Sequence, residues 1–167
     1  ADAYRALSNA DIAFVNGGGI RKQIEAGDIT LDDIYSVHPF GNTMCVIRVT
    51  GQQVLDALEW GARAVPSENG GFLQVSGLTY EIHTGVASSA EKDENGMFTR
   101  VSGEYRVKNV MVGGQPLELD KTYTLASHNY MLLNHGDGYT MFDGCEVLGE
   151  DMMIDNQVLI TYITTTL

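Results

Sequence analysis

Residues Val15 to Thr30 read VNGGGIRKQIEAGDIT, which places three consecutive glycines between an apolar run and an arginine. Glycine loses more backbone freedom on folding than any other residue, so such a run must meet a need. Either the backbone takes positive φ there, or something approaches the main chain more closely than a Cβ permits. Directly upstream, DIAFV (Asp11 to Val15) has the continuous apolar character of a buried strand. The stretch therefore reads as a strand leaving a sheet through a tight turn. It is neither of the common phosphate loops: Gly17-Gly18-Gly19 does not match G-x-G-x-x-G, and GGGIRK lacks the spacing G-x-x-x-x-G-K-[ST].

Outward from this turn the chain alternates helix and strand without repeats. Ala1 to Leu7 is apolar at Ala3, Ala6 and Leu7, which suits the end of a helix; no cap precedes it, so the chain is expected to be part of something longer. Thr30-Leu31-Asp32-Asp33 can cap a short helix to about Ser36, and Pro39 and Gly41 of HPFGN end it. TMCVIRVT (Thr43 to Thr50) is a strand. Thr50-Gly51-Gln52-Gln53 then has the form of a capping box, with Val49 and Val54 placed as a hydrophobic staple. The spacing predicts a helix from Gly51 to about Val65 with Val54, Leu55, Leu58, Ala62 and Val65 on its apolar face.

Further on, Pro66 to Gly71 is a polar loop, Gly77 to Thr84 alternates like a strand, and Gly85 to Gly103 reads as a polar, mobile surface excursion. YRVKNVMV and TYTLASHNY are strands, with turns at Gly113-Gly114 and Asp120-Lys121. Asp155 to Thr164 carries Val158, Leu159, Tyr162 and Ile163 on one helical face, although its β-branched content allows a strand. The fold class is α+β, with mixed sheets packed against helices.

Composition bounds what such a fold can do. At 167 residues and 44% hydrophobic content the chain is one ordinary domain, 1–167, with no run of the about eighteen apolar residues that a membrane span needs. Residues Ala1 to Arg5 lack the basic then apolar layout of a signal peptide. Ten Lys and Arg stand against 22 Asp and Glu, a net charge of -12, which repels a polyanion and argues against nucleic-acid binding. A small anionic ligand remains possible where a few arginines line a cleft. Two cysteines, Cys45 and Cys145, are too few for a disulfide framework, and whether they pair stays open.

Reaction chemistry is sparse. The four histidines, His38, His83, His128 and His135, form no H-x-H or H-E-x-x-H pattern, so no metal site is expected in the chain. There is no G-x-S-x-G elbow and no C-x-x-C pair. Ligand-binding groups are better represented. Asn16 and Arg21 flank the glycines, Phe40 lies in Pro-Phe-Gly-Asn, and HNYMLLNHGDGYTMF (His128 to Phe142) carries Tyr130 ahead of Gly136-Asp137-Gly138. An arginine can take a phosphate or hydroxyl, aromatic rings can stack on a planar base, and a carboxylate can accept from ribose hydroxyls. Taken singly, Asp137-Gly138 is also a plain tight turn, Phe40 a core residue and Arg21 a surface charge. Together they suit a nucleoside-type ligand.

NGGGIR, PFGN, FLQVSGL (Phe72 to Leu78) and HNYMLLNHGDGYTMF, taken in order, resemble the C-terminal domain of the 5'-nucleotidase family, which includes periplasmic UDP-sugar hydrolases and surface ecto-5'-nucleotidases. The resemblance implies an N-terminal metallophosphatase domain in the same polypeptide, holding two divalent metal ions and performing hydrolysis. It implies a C-terminal domain that binds the nucleoside part of the substrate, with rotation between the domains carrying that substrate to the metals. Carried over, Asn16 and Arg21 contact the substrate, with Gly18 and Gly19 turning the backbone beside it. Phe40 and Tyr130 sandwich the base, and Asp137 accepts from the ribose hydroxyls. A periplasmic, extracellular or cell-surface setting follows in the same way.

The sequence departs from the pattern at three points. The second stacking residue is often Phe in the family and is Tyr130 here, and the spacing to Asp137 is one residue longer than in some members, which leaves Met131 as a competing register. A further substrate-binding arginine of the family would fall before Ala1. The chain lacks the metal-binding G-N-H-[DE] motif, since Gly41-Asn42 is followed by Thr43, so on its own it is expected to bind nucleosides or nucleotides and to hydrolyse nothing. The alternative is a binding or adhesion module that kept the fold without nucleotide recognition. Base preference is not legible, because stacking tolerates every base.

Overall fold

The computed structural model describes residues 1–166. Its centre is a five-stranded mixed sheet built from β1 (Ile12–Asn16), β2 (Met44–Thr50), β3 (Leu73–Ser76), β9 (Thr122–His128) and β10 (Glu146–Gly149), in the order β10-β2-β9-β1-β3. β1 and β9 run parallel, and the other neighbours are antiparallel. Three strands, β4 (Leu78–Ile82), β7 (Val107–Val112) and β8 (Gln115–Pro116), form a second sheet, while β5 (Ala90–Lys92) and β6 (Phe98–Val101) pair as a hairpin.

The two-residue period of a strand divides the core between the two faces of the central sheet. Ile12 and Phe14 of β1, with Cys45, Ile47 and Val49 of β2 and Leu125 of β9, pack with α3 (Gly51–Ala62). Ala13, Val15, Met44, Val46 and Ala126 face the other way, towards Tyr4 of α1 (Asp2–Ser8) and Val158 of α5 (Asp155–Thr166). Both faces are covered, and β1 is buried along its whole length, which is why DIAFV shows no alternation.

α3 forms as its sequence predicts. Thr50 accepts from the Gln53 N–H while the Gln53 side chain takes the Thr50 N–H, and the staple residues Val49 and Val54 are both buried. The helix stops at Ala62, short of Val65: Arg63 and Val65 turn back onto the Trp60 and Ala62 carbonyls in tighter bonds, and Pro66 has no N–H to continue. One residue on the buried face was not anticipated. Glu59 is fully buried, and its carboxylate accepts the backbone N–H groups of Arg106 and Val107 at 3.1 and 2.9 Å. The Thr30 helix is α2 (Leu31–Val37), closed by a capping box with Asp33. The C-terminal stretch is helical rather than extended.

Two expectations need correction. The stretch 85–103 is no structureless excursion: β5 and β6 pair across a turn in which the Asp93 carboxylate accepts from the N–H of Asn95 and Met97. Its one aromatic residue, Phe98, is buried edge-on against Trp60, a long-range contact that helps to order a segment that looks polar. TYTLASHNY is not strand throughout either. β9 ends at His128, opposite Met44 where β2 begins, and Asn129 to Leu132 turn into a short helix, α4. Asn129 caps the change, its side-chain oxygen accepting from the Tyr130 and Thr43 N–H groups.

Strand direction then decides where the loops meet. β1 and β9 are parallel, so the glycine turn after Asn16 and the turn after His128 emerge at one edge of the sheet. β2 and β3 run the opposite way and begin at that edge, which brings the Phe40 loop and the Gly70 loop to the same place. Four segments remote in sequence are thereby set side by side.

Candidate functional site

The glycine turn packs backbone against backbone. None of Gly17, Gly18 and Gly19 takes positive φ. Gly17 and Gly18 donate to the carbonyls of Phe72 and Gly70, each at 2.8 Å. A Cβ on Gly18 would lie 3.1 Å from the Gly70 Cα, and one on Gly19 would lie 2.8 Å from the Asn16 side-chain oxygen. Close approach, rather than positive φ, is what the glycines provide; for Gly17 and Gly18 the approaching group is the protein's own Gly70–Phe72 loop. Tyr139, fully buried, donates its hydroxyl to the Gly71 carbonyl and fixes that loop from below.

At the end of β1, Asn16 is 5% exposed and links three elements. Its Nδ2 donates to the Asp137 carboxylate at 2.7 Å, and its Oδ1 lies 3.0 Å from Nε2 of His128. Burial holds the His128 pKa down at about 4, so the ring is neutral at physiological pH. Because Asn16 Oδ1 can only accept, Nε2 carries the proton; this leaves Nδ1 as a buried acceptor without a hydrogen-bond partner. The amide of Asn16 is therefore fixed with its N–H₂ towards Asp137.

Asp137 sits in the 3-10 turn Gly136–Gly138 with φ 55°, a left-handed conformation that Asp tolerates better than most residues. Its other carboxylate oxygen accepts from the Tyr130 hydroxyl at 3.1 Å, and its backbone carbonyl accepts from the Trp60 indole N–H at 2.9 Å. Tyr130 is half-exposed on α4, with its ring tilted against His128 at 5.9 Å. Burial, with Asp137 beside it, raises the Tyr130 pKa, so the phenol keeps its proton and donates. Met131 is completely buried, so of the two registers only Tyr130 reaches the cleft.

Phe40, which lines the same cleft, is 59% exposed. The Arg21 guanidinium lies 5.9 Å from its ring centre and donates to the Gly18 carbonyl at 3.1 Å. That bond occupies one of the guanidinium's five donor hydrogens. Phe40 is thus not a core residue, whereas Arg21 is an exposed charge held at the cleft by its bond to Gly18. Asn16, Gly18, Gly19, Arg21, Phe40, Tyr130 and Asp137 together line one cleft of about 570 Å³, within the usual range for small-molecule sites.

Asn42 and Gly70 line the same cleft and were not singled out in the sequence. Asn42 stands two residues after Phe40 in PFGN, so that motif carried the signal; Gly70 enters only through strand pairing. His128, behind Asn16, gave no signal beyond its place in the HNY segment. Cys45 and Cys145 are unpaired thiols, Cys45 fully buried and Cys145 half-buried. Among the described residues no group of three or more His, Cys, Asp or Glu side chains could hold a metal ion, and no helix is long and apolar enough to cross a membrane.

This arrangement of cleft and fold has relatives. The family model for the 5'-nucleotidase C-terminal domain matches residues 1–144. The chain is 37% identical over 145 residues to the trifunctional nucleotide phosphoesterase protein YfkN of Bacillus subtilis, covering 87% of this chain and 9% of that protein. It is 31% identical over 161 residues to a 5'-nucleotidase of Vibrio cholerae, covering 96% of this chain and 25% of that protein. Among solved structures, a 5'-nucleotidase precursor from Thermus thermophilus matches with a TM-score of 0.81 at 32% identity, over 97% of this chain and 30% of that one. The chain thus spans a quarter or less of the two relatives compared by sequence, and it belongs to the 5'-nucleotidase C-terminal domain family.

Proposed function

We propose that the chain is the nucleoside-recognition part of a 5'-nucleotidase, a phosphoester hydrolase of nucleotide catabolism. The observation that carries this reading is the convergence of an exposed aromatic ring beside an arginine, Phe40 and Arg21, with a second ring beside a carboxylate, Tyr130 and Asp137, in one cleft. The two rings hold the base. Asp137 accepts from the ribose hydroxyls through the lone pairs that Asn16 and Tyr130 leave unused, the second N–H of Asn16 donates to the ligand, and Arg21 takes a phosphate or hydroxyl.

Bond cleavage belongs to an N-terminal metallophosphatase domain of the same polypeptide, with two divalent metal ions activating water there. The chain's own residues bind and orient the substrate for that centre, in a periplasmic, extracellular or cell-surface enzyme. The cleft groups suit the nucleoside part that nucleoside monophosphates, diphosphates, UDP-sugars and 2',3'-cyclic nucleotides share. Calorimetric titration of the 167-residue chain with adenosine, AMP and UDP-glucose tests the reading, and a matching rise in melting temperature is expected because each ligand binds only the folded state. Absence of binding to all three would leave a module that kept the fold without nucleotide recognition.

A further inference from the structure

The β5–β6 hairpin, far from Asp137 in sequence, touches the turn that carries it. Gly138 has φ 82°, and a Cβ added there would lie 2.7 Å from the Gly96 carbonyl oxygen at the hairpin tip and 2.8 Å from Cζ2 of Trp60. Phe98 of β6 packs edge-on against the indole with ring centres 5.7 Å apart, and the Arg63 guanidinium stands 3.6 Å over it. Thr140, two residues beyond the turn, donates its hydroxyl to the Phe98 carbonyl at 2.6 Å. Trp60 itself is 1% exposed, and its indole N–H donates to the carbonyl oxygen of Asp137.

These contacts need not have served the site. A left-handed backbone at a non-glycine residue is a less populated state that persists only where its surroundings over-determine it. Here the Asp137 peptide is tied from behind by Trp60, and its carboxylate is tied in front by Asn16 and Tyr130. The other side of that peptide is held by the Gly138 N–H, which donates to the His135 carbonyl at 2.9 Å, so loss of the rear tie leaves one bond where two set the peptide plane, and the carboxylate shifts with it. We infer that Trp60, braced by the β5–β6 hairpin, is a positioning residue for ribose recognition: it touches no ligand, yet it fixes the direction in which the Asp137 carboxylate faces the cleft. This inference rests on the nucleoside reading above.

The test is Trp60→Phe in the 167-residue chain, which keeps an aromatic ring in the core and removes only the N–H donor and the second ring. Affinities for adenosine and for 2',3'-dideoxyadenosine are measured by calorimetry well below the variant's melting temperature. Adenosine affinity is expected to fall about tenfold, the worth of one hydrogen bond, while dideoxyadenosine affinity stays within about twofold, because it has no ribose hydroxyls to misalign. Phe98→Leu, which keeps an apolar side chain but loses the edge contact, is expected to shift the same ratio in the same direction. It also decides the matter should Trp60→Phe fail to fold. Equal weakening of both ligands, or of neither, in the folded variants overturns the inference while leaving the nucleoside reading intact. A wild-type chain that binds neither ligand, or binds both equally, overturns the inference together with the reading on which it rests.

Discussion

Replacing Asp137 by Asn separates the structural function that this residue has in the cleft from the recognition function proposed for it. The structural function survives the change. Asn adopts the left-handed conformation at φ 55° at least as readily as Asp, its amide oxygen can keep the 2.7 Å bond from Asn16, and its amide N–H can donate to the Tyr130 oxygen once that hydroxyl rotates. No buried donor is left without an acceptor, so stability should change by no more than about 0.5 kcal/mol. The recognition function does not survive. A ribose hydroxyl that donated to a carboxylate now meets an amide whose one acceptor oxygen is engaged by Asn16, and hydrogen bonds to a charged group are worth about 1.5 to 3 kcal/mol. Adenosine affinity should therefore fall by about one to two orders of magnitude. Calorimetry with adenosine and with 2',3'-dideoxyadenosine gives the reading directly, since the dideoxynucleoside should bind wild type and Asp137→Asn alike. A variant that melts several degrees lower yet keeps its adenosine affinity would show Asp137 to be a turn residue only.

Phe40→Ala should cost about 1 to 3 kcal/mol of nucleoside affinity, the worth of one stacked base, and little stability, since the ring is 59% exposed; circular dichroism with titration checks both, and unchanged affinity removes Phe40 from the site. Gly18→Ala should destabilise by about 1 to 3 kcal/mol, because its Cβ would meet the backbone of Gly70 at 3.1 Å and backbone cannot step aside. Gly17→Ala, whose nearest neighbour lies at 3.4 Å, is the control in the same urea titration and should lose clearly less. His128 provides the pH dependence. Its pKa falls from 6.5 in the unfolded chain to about 4 in the buried fold, so between those values the unfolded state binds the extra proton and stability drops as pH falls. That group alone removes about 3 kcal/mol between pH 7 and pH 4, a loss that His128→Gln should not show when urea unfolding is compared across the same range.

Local chemistry made some elements readable in advance. The capping boxes at Thr50 and Thr30 need only side chains three residues apart to satisfy the first free N–H groups of a helix, so sequence spacing alone predicts α2 and α3. The segment from Ala90 to Val101 offered no such signal: its order comes from Phe98 meeting a tryptophan on α3 and from Thr140 reaching back to a carbonyl, contacts that sequence periodicity does not contain. β10 was equally silent, because three of its four residues are exposed and it pairs only with β2. Tyr130 was expected on a strand and lies on a helical turn. From that turn its hydroxyl still reaches the Asp137 carboxylate.

The site residues were legible as types but not as a site, and the sheet's strand directions account for the difference. Asn16, Phe40, Tyr130 and Asp137 are spread over most of the chain, and nothing local requires them to meet. They meet because β1 and β9 are parallel neighbours flanked by two strands of opposite direction, so that two loops leave and two loops enter at one edge. The same geometry explains why the polar groups there are tied to one another. An edge assembled from four separate segments has no secondary structure of its own to hold it, and the line from His128 through Asn16 to Asp137 and Tyr130 supplies the cross-links that a single helix or hairpin would have supplied locally. A ligand entering this cleft meets polar groups already oriented by the fold, so less of its binding free energy is spent on ordering them. The triple glycine belongs to the same solution: by letting two loops touch main chain to main chain, it brings Asn16 close enough to bond with Asp137 on the far side of the edge.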